Sequence, residues 1–541
     1  PKASPGSSPA PAQEQARASL LDQVPATTPY VYAQLDPFPN EYIDKRILGQ
    51  AKVYDNFVDK LAQFRKKNPD AFNDLELPTR LLFAVLDELR GKFSRAGMAE
   101  LGVDLRGRFV IYGQGIWPVA RFELADGGRL RATITRMLER INAKVPILSH
   151  GETEMWHAGD SFGDAPFDIV VAVANDQLIA AATPRGDAQA AFLDRLLADE
   201  PLDRSLAESG ELAVLAQRYQ FAAGAVGFLD LIHTAELAAD LLPKAERGCK
   251  SELKDLVAAV PRWVVGLQNI SSRGIAMRMV LETPADIRDA LERARAPVPG
   301  LSKDVATRHA LAIGTGLDLQ TFSDFLGPRL SNLATKRYQC SALSWLNKSA
   351  SEMHRALEEL ATSPARSILG AQLLVRNLDL SMGFPKSVDA AAFIGTRDPG
   401  ALLQVLSTFI PDLGAKPVPP GAPPVAIEIP GIGAMLGKVH AATGVSGVAL
   451  SVGPGVDLLP LVNEEPAGGM PLFLMHAKRD FMRKLELGGS NTAAALRGLD
   501  PELADAVEEI ESSDYDSVTI EARVIGDGVR VDLETTYPAS K

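Results

Sequence analysis

The densest set of metal-ligating side-chain types in the sequence is His150, Glu152, Glu154, His157 and Asp160. A zinc-like ion needs three or four such groups within about 2.0 to 2.2 Å of one point, and a metal held there would support hydrolysis. Residues two apart on a strand share a face, so His150, Glu152 and Glu154 could converge, whereas His157 would need the chain to turn. A polar, exposed hairpin anchored by Trp156 accounts for the same residues without a metal. That plainer reading is the expectation, because the corresponding later stretch, residues 415–430, carries prolines and no histidine.

Cofactor and nucleophile chemistry is expected to be absent as well. Gly431, Gly433 and Gly437 follow an apolar run, but a dinucleotide loop needs a helix start beneath the pyrophosphate and an acid about 20 residues on. Pro430 intrudes and the next strand ends without a carboxylate, so a glycine-rich loop between strands is expected. No His-Glu-x-x-His, phosphate loop or Cys-x-x-Cys occurs. His233, His309, His354, His440 and His476 are scattered. The acidic run Glu508, Glu509 and Glu511 with Asp514 and Asp516 reads as a solvated helix end, and Trp117, Trp156, Trp263 and Trp345 read as apolar anchors. The sequence thus assigns no catalytic, cofactor or metal residue, and an enzyme is not expected.

Cys249 and Cys340 are the only cysteines, and in an oxidising compartment such a pair forms one disulfide most simply. Apolar residues make up 46% and charged residues 23%, with a net charge of −12, which suits packed domains and argues against nucleic acid as a partner. No window approaches 18 consecutive apolar residues, so no transmembrane helix is expected. The chain starts at Pro1 with a small, polar, proline-rich stretch. Residues 1–26 are therefore expected to be a disordered tether left by a removed signal peptide, with a lipid-modified cysteine ahead of it as membrane anchor.

Behind these residues lies an internal repeat. A strand, a turn and an amphipathic helix recur at residues 30–37, 119–124 and 225–230, then in the same order at 309–314, 389–395 and 471–476. Hairpins correspond too: residues 167–182, turning at Asn175 and Asp176, with 445–462, turning at Gly453, Pro454 and Gly455; and 263–282 with 517–536. More helical insertions occupy residues 53–101 and 343–374. The expected fold is α+β: two tandem copies of a module with a largely antiparallel sheet and helices packed on one face, pseudo-twofold related. Repeat 1 would span residues 27–296 and repeat 2 residues 297–541, divided where Pro297, Pro299 and Gly300 stop a helix.

Candidate catalytic residues are not shared between the copies, so the module preserves shape, and shape favours binding. The leading expectation is an exported, non-enzymatic lipoprotein of the bacterial periplasm or cell envelope that acts as a binding or assembly partner of an envelope protein. The irregular residues 411–437 and their counterpart, 144–164, could form a functional surface, with loosely packed decoration as the plainer reading. Two alternatives are a carrier whose deep aliphatic pocket encloses a lipid or other apolar ligand, and a metal-dependent hydrolase around His150 and His157.

Overall fold

A computed structural model describes residues 20–69, 75–159, 166–197, 202, 204–222, 224–241, 249–338, 340–381, 384–429, 438–453, 456–463, 470–485, 497–498, 500–511 and 515–538. The protein is α+β, with one continuous antiparallel sheet of 19 strands and helices against it. The strands of the N-terminal half are β1 (Tyr30–Gln34), β2 (Phe109–Gln114), β3 (Trp117–Glu123), β4 (Ile147–His150), β5 (Thr153–Ala158), β6 (Phe167–Ala174), β7 (Gln177–Pro184), β8 (Ala225–Asp230), β9 (Arg262–Ser271) and β10 (Gly274–Glu282). The C-terminal half supplies β11 (Leu311–Thr315), β12 (Ile368–Ser381), β13 (Phe384–Thr396), β14 (Val425–Ile427), β15 (Val439–Thr443), β16 (Gly447–Val452), β17 (Phe473–Lys478), β18 (Ser517–Ile525) and β19 (Gly528–Thr536).

The first half pairs in the order β10, β9, β8, β1, β2, β3, β7, β6, β5, β4. The second pairs in the order β19, β18, β17, β11, β12, β13, β16, β15, β14. Strand for strand the two orders correspond, and among the described residues β4 alone lacks a counterpart. The halves meet where β10 pairs antiparallel with β19, from Gly274 opposite Thr536 to Glu282 opposite Gly528. Opposite charges face each other across that seam: Arg278 Nε donates to Asp532 Oδ1 at 2.6 Å, and Arg218 grips both oxygens of Asp527 at 2.6 and 3.0 Å. Lys60 on the helix Ala51–Lys67 adds an ion pair to Glu502 on the helix Pro501–Glu511, at 2.6 Å.

Local chemistry explains the elements. Asn175 and Asp176 both adopt positive φ, the geometry of a two-residue hairpin that joins β6 to β7. Asp126, Asp318 and Asp398 each accept a backbone N–H at the start of the helices Gly127–Arg140, Leu319–Thr335 and Pro399–Phe409. Both sheet faces are covered, not one, because a strand buried by its neighbours sends alternate side chains to each side. Met155 joins the large core with Tyr112, Val119, Val226, Phe192 and Leu215, whereas its neighbour Trp156 packs with Leu130 and Val173 on the other face. In the second half Ala442 and Ala449 line one core with Phe393 and Leu461, and Ala441 lines the other with Leu413 and Ile427.

Cys249 and Cys340 form the expected disulfide, with Cα atoms 4.6 Å apart. Three expectations are corrected. The stretch expected as tether ends earlier than residue 26, because Leu20, Leu21 and Val24 are core residues and Ala26 N donates to Arg204 O; residues 1–19 lie outside the described part. The hairpin matching β6 and β7 is β15 and β16. Leu458–Asn463 is a helix that buries Leu458, Leu461 and Val462, a short apolar run whose period fits helix and strand alike. Finally, the insertion expected as helical up to residue 374 gives way at Ile368 to β12, whose three register shifts break the alternation that marks a strand.

Candidate functional site

Between β5, β6 and two helices lies a cavity of about 240 Å³. Trp156 pairs with Val171 and Ala158 with Ile169, so these four side chains form one patch of the sheet face. Ile134 and Leu138, one turn apart on Gly127–Arg140, form a wall with Val145. Leu77, Pro78 and Leu81 from the first turns of the helix Leu77–Leu89 form the roof. Among the described residues no polar side chain lines the space. A dry apolar cavity of about 150 Å³ is already enough to take up benzene, so this one admits a larger hydrocarbon group. It offers no chemistry beyond burial.

Polar contacts fasten the roof. Arg80 donates to Ile141 O, and Glu88, 6% exposed, accepts from Arg136 at 2.9 Å and from Arg140 at 2.5 Å. The Arg136 hydrogen bond holds the Glu88 carboxyl below its ordinary range against the opposing effect of burial. A lowered carboxylate pKa contributes stability above the ordinary value, about 4.3, and that contribution is lost as pH falls through the lowered one. Both arginines are half-exposed, so screening limits the effect. Glu88→Gln is expected to cost about 1 to 2 kcal/mol at pH 7, with the difference from wild type shrinking as pH falls below ~4 and through the lowered Glu88 value. Urea unfolding across that pH range checks it; a pH-independent difference would assign the loss to packing.

The matching groove of the second half is filled by the chain itself. Ile427 pairs with Val439 on β14 and β15 as Ala158 pairs with Ile169 on β5 and β6. There Leu413, Val418 and Ile427 pack beneath the side chains of Pro399–Phe409. The fold is thus able to close this groove, and leaves it open in one half. No known protein family, curated protein or solved structure matches the chain. Geometry alone therefore identifies the site.

The candidate metal ligands are not brought together. Gly151, at φ +59°, turns the chain so that His150 pairs with Thr153, and residues 150–154 are a hairpin rather than one strand. His150 meets Asp194 at 2.9 Å and Glu154 meets Arg131 at 3.3 Å. His157 Nε2 lies 3.0 Å from Asp168 Oδ2 on the opposite face from Trp156, and Asp160 lies outside the described residues. Burial pushes the Asp168 carboxyl up, but hydrogen bonds from Arg185, Gln189 and His157 outweigh it and hold the group below its ordinary range. Among the described residues no three His, Cys, Asp or Glu side chains converge as metal ligands would.

Motif reading also passes over Gly159, Ser161 and Gly163, which have the spacing of a hydrolase nucleophile elbow. That elbow requires a strand running into a helix. Here the flanking elements are β5 and β6, an antiparallel pair, and residues 160–165 lie outside the described part. The glycine-rich residues 431–437 lie outside it too. Of the cavity's residues, Val145, Trp156 and Ala158 fall in the stretch, residues 144–164, that could form a functional surface. Leu77, Leu81, Ile134 and Leu138 carry no signal beyond ordinary helix amphipathicity.

Proposed function

We propose that the protein is a non-enzymatic binding protein of the bacterial cell envelope, tethered by an N-terminal lipid and built by duplication of one module, and that its first half carries an apolar ligand such as a lipid chain. The all-apolar cavity beneath Leu77–Leu89 carries this reading. A buried disulfide suits an oxidising compartment. The corresponding strand orders on either side of the β10–β19 seam favour two copies related by a pseudo-twofold axis. An envelope protein partner that donates or receives the ligand would find apolar surface beside the cavity, where Leu82 on the roof helix is 56% exposed and Ile147 on edge strand β4 is 59% exposed.

Ala158→Phe tests the reading by filling the cavity, at the place where the second half has Ile427. A neutral fluorescent probe, N-phenyl-1-naphthylamine, should bind the wild type, and the variant should bind it at least ~10-fold more weakly, a loss of about 1.4 kcal/mol. Equal binding by a folded Ala158→Phe chain, or no binding by the wild type, would remove the basis for a carrier.

A further inference from the structure

The opposite sheet face of the second half holds a cavity of a different kind, about 280 Å³ in volume. Its floor is Leu374 and Leu461, and its rim carries Arg308, His309 and Arg376 against one carboxylate among the described residues, Asp457. The same face of the first half is sealed. Leu374 stands opposite Ala312 as Tyr112 stands opposite Val31, and Tyr112 is wholly buried. Gln372 stands opposite Gly314 as Val110 stands opposite Ala33. His476 likewise occupies the place of Phe228. Where one half completes an apolar core, the other introduces smaller and polar groups around an open space.

Three observations give that space a preference. Arg376 sits at a β-bulge, where the register shifts between Val375 and Asn377, and bulges re-aim a side chain. Arg308 is exposed at the rim, with no ion pair among the described residues. Gln372 is 4% exposed, and neither its amide oxygen nor its amide nitrogen has a hydrogen-bond partner among the described residues. Such a group costs about 1 to 3 kcal/mol to bury unpaired. Its amide lies against Gly300 in the cavity wall: a Cβ there would stand 2.9 Å from Gln372 Nε2, and Gly300 is at φ +77°, so the wall at this point is backbone only.

We infer that this cavity binds a small amphiphilic organic anion, its carboxylate held by Arg308 and Arg376 at the rim and its short apolar part lying on Leu374 and Leu461. Guanidinium groups match a carboxylate bidentately, and the unpaired Gln372 amide lies behind the Gly300 wall. The site is separate from the apolar cavity of the first half, so either can stand without the other.

Calorimetric titration of the full chain with hexanoate, hexanol and inorganic phosphate tests the inference. Hexanoate should bind, with hexanol and phosphate each at least ~10-fold weaker. Arg308→Gln combined with Arg376→Gln should weaken hexanoate at least ~10-fold. Both residues are exposed, so folding should be retained. No hexanoate binding, equal binding of hexanol, equal or tighter binding of phosphate, or full binding by the double arginine variant would each overturn the proposal. Loss of hexanoate binding in folded Ala158→Phe would do so as well, by placing the anion in the other cavity.

Discussion

Replacing Cys249 and Cys340 together with alanine is expected to lower the unfolding free energy by about 4 to 5 kcal/mol. The two are 91 residues apart in sequence, and the entropy that a crosslink removes from the unfolded chain grows with the loop it closes. Neither residue is exposed to solvent, and Leu343, Leu253, Leu256, Tyr338 and Leu346 pack around them. The bond fastens the helix Cys249–Val257 to the turn before the helix Trp345–Thr362, and so joins the halves at a point away from the β10–β19 seam. Cys340 N also donates to Glu252 at 2.8 Å, a contact that lies on the same short connection. Urea unfolding of the double variant and of the reduced wild type should give matching losses. A double variant within about 1 kcal/mol of wild type would mean that β10–β19 and the paired helices hold the halves together without the staple.

The matching strand order of the two halves was partly legible in the sequence, because apolar alternation and turn residues recur in each half. The terminal hairpins, residues 263–282 and 517–536, appear as β9–β10 and β18–β19 with their turns as expected. Their union across the seam was hidden, since nothing in a single strand's alternation says which distant edge it will meet. The charge pair Arg278 and Asp532 is the trace that was present, but opposite charges are too common in strands to assign a partner. β12 was obscured by its own bulges, and Leu458–Asn463 by a run too short to show a period. The cavities were invisible for a different reason. A gap between packed elements is set by what is missing: Ala158 where the other half has Ile427, Leu374 where it has Tyr112. Histidine and carboxylate clusters attract attention in a sequence, yet here His150, Glu154 and His157 each meet a different partner, Asp194, Arg131 and Asp168.

Trp156→Ala should be nearly as costly as loss of the disulfide, and more informative about function. Trp156 is 7% exposed, packs with Leu130, Val173, Ile134 and Leu138, and carries the Arg131 guanidinium 5.7 Å from its ring centre. Truncating a buried tryptophan typically costs about 3 to 5 kcal/mol, and more where the site cannot collapse. Collapse is resisted here, because the roof is pinned at Arg80 and Glu88 and the floor is a hydrogen-bonded sheet. The lost indole volume should therefore add to the existing cavity of about 240 Å³. An apolar ligand that fits the enlarged space then stabilises the variant by mass action, in proportion to the logarithm of its concentration over Kd. Thermal unfolding with and without N-phenyl-1-naphthylamine should show a lower midpoint for Trp156→Ala and a larger upward shift on adding the probe than for wild type. If the variant loses stability but the probe shifts both proteins equally, Trp156 is a core residue only, and the probe binds elsewhere.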